Sequence, residues 1–357
     1  MKIKSLLIGS AALMTASSGA YAADAIVMAE PEPVEYVRVC DVYGAGFFYI
    51  PGTETCLRIG GYFRYEMAFS NAGGAPGAPS GWGSRARFAP QFDVRTESEW
   101  GTVRGFVELE LNAQQNFIGS GIAGPVGFAE SMNIAHAFIE LQNATGTLRM
   151  GHTQRPYARF LGFGSGNVFG GVYGYNEQNE ISYTFVGSNG FSAILALVED
   201  GTFNWMPDVE GGFNFKQGWG SIGAIAGYDE SAGTWGIKAV GRFTGGSGFS
   251  GGLHVFYSSG AGSYAITDPV FAAVAQWSVL GHVKAQFTPT IAATASVQWF
   301  DLVGATGWDV IAGLDITPFG GREVGGAATF RIRPEVRYST TAGVDVWGAA
   351  IRFDRNF

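Results

Sequence analysis

Charged residues make up only 15% of the 357-residue chain, cysteine occurs twice and histidine four times. No apolar run past the N-terminus approaches the roughly 18–20 residues that a membrane-spanning helix requires. The longest, 191–198, has the length of a strand. The histidines, His136, His152, His254 and His282, stand in no H-E-x-x-H context and no G-x-S-x-G elbow is present, so neither a zinc hydrolase nor a serine hydrolase is legible. No cofactor site and no metal-ligand set can be read. Glycine-rich stretches such as 162–166 lack the strand-to-helix context of a phosphate loop, and no basic run points to nucleic acid.

What the chain has in excess is glycine, 55 residues, about double the usual share, together with abundant Phe, Tyr and Trp. Glycine costs roughly 1 kcal/mol per interior helix position relative to Ala, so this mixture opposes helices and suits strands joined by tight turns. Residues 1–22 read as a secretory leader, with Lys2 and Lys4, the apolar stretch 6–14, and Ala20-Tyr21-Ala22 as the cleavage site. Without those two lysines, 20 basic residues face 30 acidic ones, a net charge of −10. Export makes a disulfide between Cys40 and Cys56 the default state, with two separate thiols as the alternative.

Apolar and polar residues then alternate at period two, the signature of strands with one wet face. Sixteen segments follow this pattern: 57–69, 84–97, 102–112, 133–143, 147–153, 180–187, 190–198, 208–216, 219–229, 234–243, 249–258, 276–287, 291–300, 308–316, 328–338 and 346–357. In the first, Ile59, Phe63, Tyr65 and Met67 oppose Arg58, Arg64 and Glu66. In the second, Phe88, Phe92 and Val94 oppose Arg85, Arg87 and Asp93. The third sets Val107 and Leu111 against Arg104 and Glu108, and the fifteenth sets Ile332 and Val336 against Arg331, Arg333, Glu335 and Arg337. Short connections such as 98–101, 144–146, 188–189 and 288–290 alternate with long ones such as 71–83, 113–132, 154–179 and 259–275, although 229–233 and 301–307 break the rhythm. An even strand number, an apolar outer face and alternating loop lengths predict an all-β, 16-stranded antiparallel transmembrane barrel over 57–357, preceded by a segment 23–56. Sixteen strands leave an aqueous lumen. If the last strand pairs with the first, Arg58, Arg64, Arg85, Arg87, Arg104, Arg331, Arg333, Arg337 and Arg352 share one arc of the inner wall. Glu66, Asp93, Glu108 and Glu335 lie among them, either as screening charges beside water or as salt-bridge partners. Arg149 joins the expected lining from the fifth strand.

The stretch Val37–Gly61 (VRVCDVYGAGFFYIPGTETCLRIGG), the glycine- and aromatic-rich connection 154–179 and the terminal IRFDRNF together resemble alphaproteobacterial porins of the Brucella and Rhizobium type. The resemblance runs over nearly the whole chain beyond the leader. It implies a general-diffusion porin of the bacterial outer membrane, a homotrimer among outer-membrane lipids and lipopolysaccharide, passing small hydrophilic solutes. It implies that the third loop folds inward as the constriction, where this chain offers Glu177 and Glu180 together with Arg155 and Arg159. It also implies that Phe357 belongs to the signal read by the outer-membrane assembly machinery. The competing readings are a solute-specific channel, an outer-membrane barrel hydrolase, and a secreted β-sandwich binding protein.

Overall fold

Every expected strand is present in the computed structural model, which describes residues 37–71, 81–116, 128–164, 168–202, 204–246, 248–319 and 329–357. The leader lies outside these residues. In chain order the wall consists of β1 (Cys56–Ser70), β2 (Gly81–Ser98), β3 (Gly101–Gln115), β4 (Phe128–Asn143), β5 (Gly146–Gln154), β6 (Glu177–Val186), β7 (Phe191–Val198) and β8 (Asp208–Gln217). It continues with β9 (Gly220–Asp229), β10 (Thr234–Thr244), β11 (Phe249–Ser258), β12 (Val274–Thr288), β13 (Ile291–Leu302), β14 (Ala305–Ile316), β15 (Phe330–Thr341) and β16 (Val344–Asn356). Each pairs antiparallel with its successor, and β16 pairs with β1 from Gly348↔Ser70 to Asn356↔Tyr62. Closure removes both sheet edges, which is what allows strands to sit in hydrocarbon.

The faces follow the period-two reading. Ile59, Phe63, Tyr65, Met67 and Phe69 are exposed on the outside of β1, whereas Glu66, Arg85, Asp93 and Arg352 are buried on the inside. The register jump between β3 and β4, where Glu108 opposes His136 and Leu109 opposes Ile134, leaves Ala135 as a bulge. It keeps His136 on the inner face beside Thr153, 3.0 Å away.

Loop lengths depart from the expected rhythm in the last third of the chain. Two connections on the long-loop rim, 303–304 and 342–343, are two-residue turns, and a long connection, 317–329, lies on the short-turn rim. At 342–343 both residues have positive φ, 50° and 82°, the backbone of a tight hairpin turn whose twist matches the flanking strands. Strands β15 and β16 therefore run several residues past the expected boundaries.

At the short-turn rim the segment before β1 folds back on the wall. Phe48–Tyr49 pairs with Leu57 and Cys56, and Cys40 is bonded to Cys56. Phe47 is buried between the two cysteines and the Arg58 and Arg95 guanidiniums, 5.0 and 5.1 Å from its ring. The same rim holds the last residue. The Phe357 main chain exchanges two 3.1 Å hydrogen bonds with Gly61, and its ring lies 5.5 Å from Phe63 and 6.2 Å from Phe88. Gly61 has φ +142°, and a Cβ there would stand 2.2 Å from the Ala89 carbonyl oxygen.

Candidate functional site: the lumen and its inward loops

The inner wall divides into two halves of different chemistry. Along β14–β16 and β1–β5 it is ionic. Glu66 accepts from Arg85 and Arg352, both at 2.5 Å. Asp354 accepts from Arg64 at 2.7 Å and from Arg333. Asp315 takes Arg331 at 2.5 Å and Lys284, from β12, at 3.2 Å. Asp93 gathers Arg58, Arg95 and Arg104 at 3.4, 2.9 and 3.0 Å, and Glu140 joins Arg104 to Arg149 at 3.0 and 2.5 Å. Arg337 pairs with Asp309 at 2.7 Å, and Arg87 with Glu110.

Cross-strand ion pairing is therefore the state of this wall, but it is uneven: these twelve cations share seven carboxylates. Of the acids expected among the arginines, Glu66 and Asp93 take that role. Glu108 accepts instead from Gln91 at 2.7 Å, and Glu335 accepts the backbone N–H groups of Val168 and Phe169 at 2.9 and 2.8 Å. Asp309, Asp315 and Asp354 do most of the neutralising on β14–β16. Their inner-face positions follow from the same alternation that revealed the arginines.

Along β7–β13 the inward face is mixed: apolar clusters stand among Asp208, Glu210, Lys238, His254, His282 and Gln298, and inward connections cover much of it. Ile194, Ile225 and Val240 pack with Tyr157, Leu161 and Tyr264. Phe256, Leu280 and Phe300 pack with Ile266, and Val172 and Tyr173 rest against them. The covering residues come from two connections: the third, 155–176, and the sixth, 259–273. Seating them requires missing side chains on the wall. A Cβ on Gly223 would meet Leu161 at 2.6 Å, one on Gly227 the Tyr264 ring at 2.0 Å, and one on Gly348 the Phe169 ring at 2.9 Å.

The third connection opens with a one-turn helix, Pro156–Arg159, with proline at its first position. Arg155 precedes it and presents no surface to water. Its guanidinium meets Glu210 at 2.7 Å, Asp208 at 3.2 Å and the Ser263 carbonyl at 3.2 Å, and stacks 4.2 Å from the Tyr264 ring. Burial alone would weaken its hold on the proton, but the adjacent Glu210 carboxylate more than offsets this and its pKa is raised. Arg155 thus joins both inward connections to β8, which corrects its expected place on the lumen surface. Further along, inward-facing side chains hold the loop by its backbone. Lys238 donates to Ala158 O and Tyr173 O, Arg242 to Leu161 O and Phe163 O, and Gln298 both donates to and accepts from Val172. Arg159 pairs with Glu180, whose side chain is buried, while Glu177 stays partly exposed and accepts from the Tyr175 hydroxyl. His254 and His282 are buried on the wall beside this loop, 5.3 Å apart.

Lys238, Arg242, Gln298, Asp208 and Glu210 are the anchoring residues that strand periodicity could not single out. On their strands they read as ordinary inner-face polar positions, and what they hold comes from distant loops. The one available signal was the inner-face glycines facing two long connections.

The sequence matches the family described as "Porin subfamily" over residues 24–352. It is 38% identical over 381 residues to "Porin Omp2b" of Brucella abortus (strain 2308), covering 100% of both chains. The fold is similar to that of the outer membrane channel DcaP of Acinetobacter baumannii, with TM-score 0.64 at 13% identity, covering 87% of this chain and 99% of that one. It is also similar to that of an anion-selective porin from Comamonas acidovorans, with TM-score 0.60 at 13% identity, covering 85% and 100%.

Proposed function

The chain belongs to the porin subfamily and forms an outer-membrane channel, and on that premise we propose a passive, water-filled pore in which the third loop is the constriction. The observation that carries this is the loop's path. It is tied to β8 through Arg155 and to β15 through Glu335, and it covers the apolar clusters of β7–β13. The remaining passage runs between the loop and the ionic wall, lined by Arg58, Arg64, Arg85, Arg87, Arg104, Glu108, Arg149, Arg331, Arg333, Arg337 and Arg352, with Arg159, Glu177 and Glu180 at the loop's base. Small hydrophilic solutes and ions cross by diffusion, sieved by size. The surplus of guanidiniums over carboxylates gives a mild preference for anions.

Association as a homotrimer fits the outer face. A groove of about 780 Å³ crosses β16 and β1–β4, lined by Phe63, Tyr65, Ala86, Phe88, Leu111, Ala113, Met132 and Phe353. Its apolar band suits burial against another subunit or contact with outer-membrane lipid and lipopolysaccharide. Phe357, at the end of the last strand, fits a role in recognition by the assembly machinery. Liposome swelling with sugars of graded size tests the reading. Rates that fall smoothly with solute size support diffusion, whereas uptake of one sugar out of size order points to a dedicated solute site.

A further inference from the structure

Three guanidiniums converge on Asp93. Its Oδ2 accepts from Nη2 of Arg95 at 2.9 Å, of Arg104 at 3.0 Å and of Arg58 at 3.4 Å. Arg95 and Arg104 each add an Nε–H to Oδ1, at 2.9 and 3.0 Å. The carboxylate keeps 2% of its side-chain surface, so the cations close over it.

Arg58 is the least engaged of them. Of the five N–H donors on a guanidinium it spends one, at a distance beyond the usual range of about 2.7–3.2 Å. No other side chain or carbonyl among the described residues accepts from it. Its side chain is 30% exposed, the most open of the four cations held by Asp93 and Glu140. The fork is nevertheless positioned. The buried Phe47 ring lies 5.0 Å from Arg58 and 5.1 Å from Arg95, and the segment carrying it is tied to β1 by the Cys40–Cys56 bond.

The local charge is unbalanced. Arg58, Arg95, Arg104 and Arg149 share Asp93 and Glu140, four cations to two carboxylates. Glu97, two positions on from Arg95, accepts from the Tyr43 and Thr102 hydroxyls at 2.9 and 2.7 Å and takes no guanidinium among the described residues. A held fork with open donors and surplus charge suits an anion that presents two oxygens at once. A phosphate dianion supplies both the oxygens and the charge, whereas a monovalent carboxylate supplies the oxygens with half the charge.

Resting on the passive-channel reading above, we propose that Arg58, with Arg95 beside it, forms a binding site for phosphate dianions on the inner wall at the short-turn mouth of the lumen. Asp93 and Phe47 are its positioning residues: one sets the spacing of the guanidiniums and the other supports their planes.

The full chain reconstituted in a planar bilayer with KCl at pH 8 tests it, with inorganic phosphate or acetate added to both sides. Phosphate is expected to reduce the open-channel current saturably, and acetate at the same concentration is not. Arg58→Gln is expected to raise the half-blocking phosphate concentration roughly tenfold, measured against the variant's own KCl current; that factor corresponds to about 1.4 kcal/mol. Arg58→Lys, which keeps the charge and loses the fork, should fall between parent and Arg58→Gln, and it carries the test if Arg58→Gln does not assemble. Lys284→Gln, which removes an exposed wall cation paired with Asp315, should leave the block unchanged. Phosphate that fails to block, acetate that blocks equally, an unchanged half-blocking concentration in the Arg58 variants, or an equal weakening by Lys284→Gln overturns the site while leaving the channel intact. A parent protein that conducts no KCl overturns the channel reading itself.

Discussion

Arg155 and Glu210 meet at 2.7 Å with no exposed surface on either side chain, inside a barrel whose other ion pairs mostly keep some contact with water. The pair joins the start of the third loop to β8, and Glu210 also accepts the Tyr157 backbone N–H at 2.6 Å. Removing one partner of a buried pair leaves an uncompensated charge, at a cost of about 3–5 kcal/mol. Arg155→Ala is therefore expected to release the loop's base. Single-channel recordings should show larger current noise and thermal melts a lower midpoint; a quiet, equally stable channel would contradict the keystone role.

Glu335 holds the middle of the loop through the backbone N–H groups of Val168 and Phe169. Charge-assisted bonds of this kind are worth about 1.5–3 kcal/mol each. Glu335→Ala should free the segment around Val168 and Phe169 and raise both conductance and the largest sugar admitted in swelling assays. Unaltered size exclusion would mean that Gln298 and the Phe169 seat at Gly348 suffice.

Arg331 and Arg333 contribute to two of the clusters in which cations outnumber carboxylates. Replacing both with Ala should move the zero-current potential in a KCl gradient toward cation preference. The shift should shrink at high salt, where a Debye length of about 3 Å at 1 M screens the wall. Identical potentials for variant and parent would place these side chains outside the ion path.

Deletion of Phe357 removes two main-chain bonds to Gly61 and the ring lying against Phe63 and Phe88. Outer-membrane levels of the protein should fall. A Phe357→Ala variant, which keeps the backbone bonds, separates the ring's contribution from that of strand pairing, and normal levels for both variants would dismiss the residue as an assembly signal.

The strands, their number and the wet and greasy faces were legible because each depends on residues at most a few positions apart. Period-two alternation places Arg85 opposite Phe88, and Arg352 opposite Phe353, without reference to any other part of the chain. The shortfall beside 342–343 was local too: the expected strands stop at 338 and resume at 346, yet Ser339, Thr340 and Thr341 pair with Val346, Asp345 and Val344.

Arg155 marks the limit of that approach. Between Gln154 and Pro156 it reads as one more loop cation facing water, and nothing nearby says that Asp208, Glu210 and Ser263 will enclose it. The shared carboxylates are similar: Glu66 and Arg352 are separated by 286 positions and become neighbours only when the sheet closes.

Alternation of side chains along a pleated backbone, acting over two residues, was enough to specify a closed wall with hydrocarbon on one side and water on the other. Which part of the interior stays wet was settled by contacts between elements remote in the chain, where glycines left room, two loops filled it, and an arginine withdrawn from water locked them in place.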